Sequence, residues 1–212
     1  MFHLSGLICV DESIVCWYGL GGHWISKGLP HYVALDRKPN NGAKICNSCC
    51  GVTGILTCLE LCQLAAKTEQ QEIANPNPVV PSGTASGTRS ILNLTQPFFG
   101  TRHVVVGSSA FASVNIAMQL SEENLGFIGI VKTATKWFSM EPLQKTILPK
   151  KGQYTGMTTT IDGVKLMSYV WSDRNRHYFI STAGSMVMSN LQECTRCCEL
   201  SIEGAYKEDN KD

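Results

Sequence analysis

No stretch of this sequence approaches the ~20 consecutive apolar residues that a membrane-spanning helix needs, and a helical membrane protein is not expected. An excess of charge of either sign is also missing: 18 basic residues stand against 17 acidic ones, for a net charge of +1. Proteins that hold nucleic acid by global electrostatics show a basic surplus, so only a local basic face remains open to that use. The apolar start, Met1–Val10, has no basic n-region, and Asp11 interrupts it early. It reads as a strand rather than a signal peptide, which places the chain inside the cell, in nucleus or cytoplasm. Gly19-Leu20-Gly21-Gly22 has no Lys-Ser/Thr after it and does not join a strand to a helix, so it is no phosphate-binding loop. At 212 residues and 43% hydrophobic content the chain can bury one core, one domain with an insertion. Its oligomeric state is not legible.

Cysteine, by contrast, is abundant. Ten occur, with Cys46, Cys49 and Cys50 in one group and Cys194, Cys197 and Cys198 in another. An intracellular setting disfavours disulfides. The two C-x-x-C-C groups contain enough thiolates for a four-coordinate zinc site. However, the first group falls in a predicted strand and its turn, and the second in a polar tail. Small buried thiols are the simpler reading.

The pattern along the chain is mostly β. Leu7–Val15 reads as a strand carrying Asp11 and Glu12. His31–Leu35, the turn Asn40-Asn41-Gly42, Ala43–Ser48, the turn Gly51–Gly54 and Ile55–Leu61 complete an antiparallel meander. Lys67–Ser90, rich in Pro, Ser, Thr and Gly, reads as a loop or linker. Val104-Val105-Val106 then forms a buried strand, and Gly107-Ser108-Ser109 turns into a helix bearing Phe111, Val114, Ala117, Met118 and Ser121 on one face. Gly126 ends that helix, and Phe127–Val131 is a second buried strand. Strand, helix and strand with short joints make a βαβ unit with parallel strands. Lys132–Lys151 is mixed and basic. Thr158–Ile161, Val164–Trp171 and His177–Thr182 follow as a second meander, its first turn the hairpin-forming Asp162-Gly163. The expected fold is a mixed α/β sheet, ribonuclease H-like if the Asp11 strand lies beside the Val104 strand in the order 3-2-1-4-5.

Chemistry in such sheets sits at the carboxyl ends of the parallel strands, so Ser108 occupies a functional tip. A serine nucleophile at Ser108 or Ser109 would need a tight Gly-x-Ser-x-Gly elbow, and Phe111 stands where glycine is required. A helix N-cap is the simpler role for either serine. Lys132, Lys136 and Lys145 beside Trp137 and Phe138 could contact a phosphate backbone, weakly and with strong salt dependence.

Several segments resemble piggyBac-type transposable element-derived proteins: VDESIVCWYGLGGHW at Val10–Trp24, LPHYVALDRKP at Leu29–Pro39, VVVGSSAFASV at Val104–Val114, GFIGIVKTATKWF at Gly126–Phe138, and DGVKL with HYFISTAG near the end. They run in family order to about Gly184. The resemblance implies a DDE-type transposase with a ribonuclease H-like core at 1–138, a β-rich insertion at 139–188 and a divergent tail at 189–212. It also implies three carboxylates holding two Mg²⁺ or Mn²⁺ ions about 3.5–4 Å apart. Carried over residue by residue, the first aspartate is Asp11, followed by Glu12. The second falls on Ser108, in a family context whose Phe and Ser are matched by Phe111 and Ser113. The third has no counterpart, its segment being replaced by Cys194–Asp212. The expectation is a truncated, catalytically inactive remnant that needs no cofactor and touches DNA weakly at most. A domesticated DNA- or protein-binding module is the alternative. A residual nuclease rescued by Glu12 or Asp36 is the third reading.

Overall fold

The computed structural model of the chain describes residues 4–16, 32–33, 42–62, 80, 85–132, 137–138 and 140–184. The strands are β1 (Leu7–Cys16), β2 (Tyr32–Val33), β3 (Gly42–Cys50), β4 (Leu56–Leu61), β5 (Val104–Gly107), β6 (Gly126–Val131), β7 (Tyr154–Ile161), β8 (Val164–Ser172) and β9 (Arg176–Ser181). The helices are α1 (Ser86–Thr95), α2 (Val114–Glu122) and α3 (Met140–Lys145). All nine strands join one sheet, ordered β2-β3-β1-β5-β6-β9-β8-β7, with β4 also paired to β3. β2 meets β3 at Gly42 and Ala43, and β4 meets it from Ile45 to Cys49, so the two share one edge of β3 end to end.

Read through β4, the first five strands lie in the order β4-β3-β1-β5-β6. β1 is antiparallel to β3 and parallel to β5, and β5 is parallel to β6. This is the 3-2-1-4-5 arrangement of the ribonuclease H-like reading. The second meander does not stand apart: β9 pairs antiparallel with β6, and β8 and β7 follow outward.

One face of the sheet carries the core. Ile8 and Val10 of β1, Cys46 and Cys50 of β3, Val105 of β5 and Phe127 and Val131 of β6 are buried, each two or four residues from the next on its strand. That is the period of a strand with one covered face. α1 packs on β3 and β4, and α2 on β6 and β9. Ile91, Leu92 and Leu94 of α1 and Val114, Ile116, Ala117 and Leu120 of α2 join the same core. Fully burying a side chain the size of Phe127 or Ile91 contributes roughly 1.5–3 kcal/mol. The Phe127 ring lies against two neighbouring strands at once. A Cβ on Gly129 would come within 2.7 Å of it, closer than such atoms approach, and one on Gly107 would crowd it at 3.1 Å.

Several expectations change. Ser86–Ser90, assigned to the linker, is the first half of α1, where Thr88, Ile91, Leu92 and Thr95 recur at helical spacing on the buried side. The polar composition around it hid an amphipathic face. α2 begins at Val114, not at Gly107-Ser108-Ser109: its N-cap is Ser113, whose Oγ accepts from the Ile116 N–H at 3.2 Å. Phe111 is buried in the turn before that helix, and Ile116, absent from the expected face, is buried on it. Gly126 does not end α2 either. Asn124, at φ 58°, does so, with Leu125 N–H donating to Leu120 O at 2.9 Å in a Schellman-type closure. Gly126 is already in β6. The helix α3 lies in the stretch read only as basic surface, and Leu143 anchors it. The turn at Asn40-Asn41 lies outside the described residues, as does the tail from 185 onward. Asp162-Gly163 closes the β7–β8 hairpin as expected, with φ of 47° and 81°.

Candidate functional site where β1 passes the end of β5

The last parallel pair between β1 and β5 is Val10 with Gly107. One residue further along each strand stand Asp11 and Ser108, and the Ser108 N–H donates to Val10 O at 3.4 Å. The sheet therefore brings together the two positions singled out from the sequence. Strand alternation sends Asp11 to the face away from Val10 and the core. Ser108 is held by its backbone as well: its carbonyl accepts from the N–H groups of Phe111, at 3.0 Å, and Ala112, at 3.1 Å. That turn carries the chain to Ser113 and α2.

The residue facing Asp11 across the β1–β3 ladder is neutral. It is Asn47, whose amide donates to Ser13 Oγ at 2.7 Å. Asp11 is exposed, and its Oδ1 accepts from the Glu12 N–H at 2.8 Å. Asn47 went unnoticed from the sequence, although the β1–β3 register places it here. Glu12 points the other way, being one residue along the strand, and binds Lys44 Nζ at 2.5 Å. Partial burial works against the charge on Lys44, and the hydrogen bond and charge of Glu12 outweigh it, so the lysine pKa is raised. Glu12 is thus engaged on the opposite face and does not supply the missing carboxylate. Asp36 lies outside the described residues.

A pair of Mg²⁺ or Mn²⁺ ions calls for several anionic oxygens. Asp11 offers one carboxylate, Ser108 a neutral hydroxyl, and Asn47 a neutral amide oxygen, its nitrogen donating to Ser13. No three His, Cys, Asp or Glu side chains converge among the described residues. The donor set does not fit a two-metal centre. For zinc, the first cysteine group is unsuitable in its own right: three residues apart on an extended strand, Cys46 and Cys49 face opposite sides of the sheet. The second group lies outside the described residues. Neither serine reading gains support. His103 opens β5 at its far end and pairs with Thr101 Oγ1 at 2.6 Å, and the N-cap role belongs to Ser113.

The basic stretch is partly neutralised. Lys145 binds Glu141 at 2.6 Å and Lys151 binds Asp173 at 2.8 Å. The latter contact holds the Asp173 carboxyl below its usual range. Lys132 is exposed after β6, Trp137 is 78% exposed, Phe138 is buried, and Lys136 lies outside the described residues. No described helix is long and apolar enough to cross a membrane.

The fold is similar to that of a solved piggyBac transposase, in a synaptic complex with hairpin DNA, at a TM-score of 0.65 and 17% sequence identity. The match covers 89% of this chain but 35% of that one, so the chain spans about a third of its length. No curated protein matches the sequence. A family model described as Transposase IS4 matches residues 1–201, nearly the whole sequence, and the chain belongs to that family.

Proposed function

We propose that this chain is a piggyBac-type transposase core that keeps the scaffold for metal-dependent DNA strand cleavage and has lost the chemistry. The observation that carries this reading is that Asp11 and Ser108 each follow the last β1–β5 ladder pair, Val10 with Gly107, so that a serine stands beside the aspartate. A hydroxyl can donate a lone pair, but it lacks the charge that holds a divalent cation against its hydration shell. Within this reading, 1–138 is the core, 139–188 the family's β-rich insertion and 189–212 a divergent tail. A nicking assay on supercoiled DNA with Mn²⁺ tests the loss. The wild-type chain is expected to nick no faster than Asp11→Ala. Mn²⁺-dependent nicking that disappears in Asp11→Ala would sink the proposal and make the chain a residual nuclease.

A second reading, a DNA- or protein-binding module without catalysis, rests on the exposed Lys132 and Trp137 near the end of β6. Lys145 and Lys151 of the same basic stretch are already paired to acids, which weakens its hold on phosphates. Any DNA binding should therefore be weak, and because it would run through phosphate contacts it should fall off as salt rises. A fluorescence-anisotropy titration at several salt concentrations measures both, and tight binding that persists at high salt would overturn the expectation.

A further inference from the structure

The thiols of Cys46 and Cys62 lie 3.2 Å apart, Sγ to Sγ. We propose that they form a peroxide-sensitive dithiol, an oxidative modification site unrelated to the strand ends that carry Asp11 and Ser108.

The placement follows from the ladder. Cys46 of β3 pairs with Glu60 of β4, and Cys62 continues that register, its N–H donating to Lys44 O at 3.0 Å. The two cysteines are therefore diagonal neighbours on one face of the sheet, where side chains two residues out of register still meet. Both carry free thiols. Their environments differ. Cys46 is 3% exposed and belongs to the core, whereas Cys62 is half-buried at the edge of it. Cys62 also follows the last residue of β4, so it is less constrained than a residue within the strand. Closing a sulfur–sulfur bond of about 2.05 Å requires the two atoms to approach by about 1 Å, which a residue just past a strand end can supply.

The asymmetry sets the order of events. Burial, then the contact with Cys62, pushes the Cys46 thiol up to about 12, which makes it a poor first target for an oxidant that attacks thiolates. A hydroperoxide oxidises Cys62: its sulfur takes the distal oxygen to become a sulfenic acid, and the hydroperoxide leaves as water or an alcohol. Cys46 sulfur then attacks the Cys62 sulfur, its proton leaves with the hydroxyl as water, and the disulfide forms. Two electrons pass from the pair of thiols to one peroxide. The product ties β3 to the chain beyond β4, across a sequence separation of 16.

Treating the folded full chain with hydrogen peroxide, alkylating the remaining thiols, digesting and mapping by mass spectrometry tests the proposal. The expected result is a cross-linked peptide pair joining Cys46 to Cys62, about 2 Da lighter than the two free peptides together, with a raised melting temperature. Cys62→Ser should abolish the cross-link. Cys46→Ser should leave Cys62 as a sulfenic acid that dimedone labels. Should Cys46→Ser fail to fold, the wild-type map and Cys62→Ser still decide. Cys46 and Cys62 recovered unlinked after peroxide, or linked no more often than in urea-unfolded chain, would overturn it.

Discussion

At the scale of single residues, the absence of a side chain does as much here as its presence. Phe127 is fully buried because Gly107 and Gly129, on its own strand and the neighbouring one, leave room for its ring. A methyl at Gly129 would stand 2.7 Å from the tip of the fully buried ring and 2.8 Å from Ala112 Cβ, which has no side chain to swing aside. Gly129→Ala should therefore destabilise the fold by about 1–3 kcal/mol through overpacking. A lowered urea midpoint with an unchanged m-value would register that loss, and an unchanged midpoint would mean that the ring can move aside. Ser108 presents the opposite case. Its backbone has a structural task in the turn, but nothing in that task calls for a carboxylate, so a serine can occupy the place without disturbing the scaffold.

Among the elements, α2 depends on its cap. Ser113 supplies the only side-chain bond to its first turn among the described residues, and no acidic residue assists there. Ser113→Ala should cost about 1 kcal/mol, measurable as a fall in thermal midpoint, while Ser109→Ala should leave stability within about 0.5 kcal/mol. If the two variants behaved in the reverse order, the helix would start where the sequence pattern placed it. The strands were legible because each rule needed only local information: Asp162-Gly163 marks a hairpin, three consecutive valines mark a buried strand, and alternation fixes the faces. The order β4-β3-β1-β5-β6 followed once β1 and β5 were set side by side. The helices were less legible. α1 starts within a Ser- and Thr-rich stretch whose buried members include Thr88 and Thr95, polar side chains that a hydrophobic pattern does not count. In α2 a buried Phe111 continued the apolar run upstream of the real start and displaced the apparent cap by several residues. At the site, the adjacency of Asp11 and Ser108 depended on long-range register, which the resemblance implied and the sheet supplies. The opposed directions of Asp11 and Glu12 needed only strand alternation.

At the scale of the whole molecule, the second meander continues the sheet outward from β6, so the strand that bounds a five-stranded core of this order is covered here by β9. That leaves β7 as the outermost strand on its side. Its sequence, YTGMTTTI, carries no charge, and most of it is exposed. An outer strand rich in β-branched residues and without charge is the kind of edge along which a second chain can add, and charged side chains on an edge are a common defence against such stacking. Thr160 lies directly across from Lys165, so Thr160→Glu would place an opposite charge within reach of that lysine while putting a carboxylate on the rim. Light scattering during incubation at high concentration should rise more slowly for Thr160→Glu than for the parent chain, at an unchanged melting temperature. By moving its boundary from β6 to β7, the sheet has, among the described residues, exchanged an apolar border for a threonine-rich one, and the charge by which an edge turns a second chain away is missing from that border.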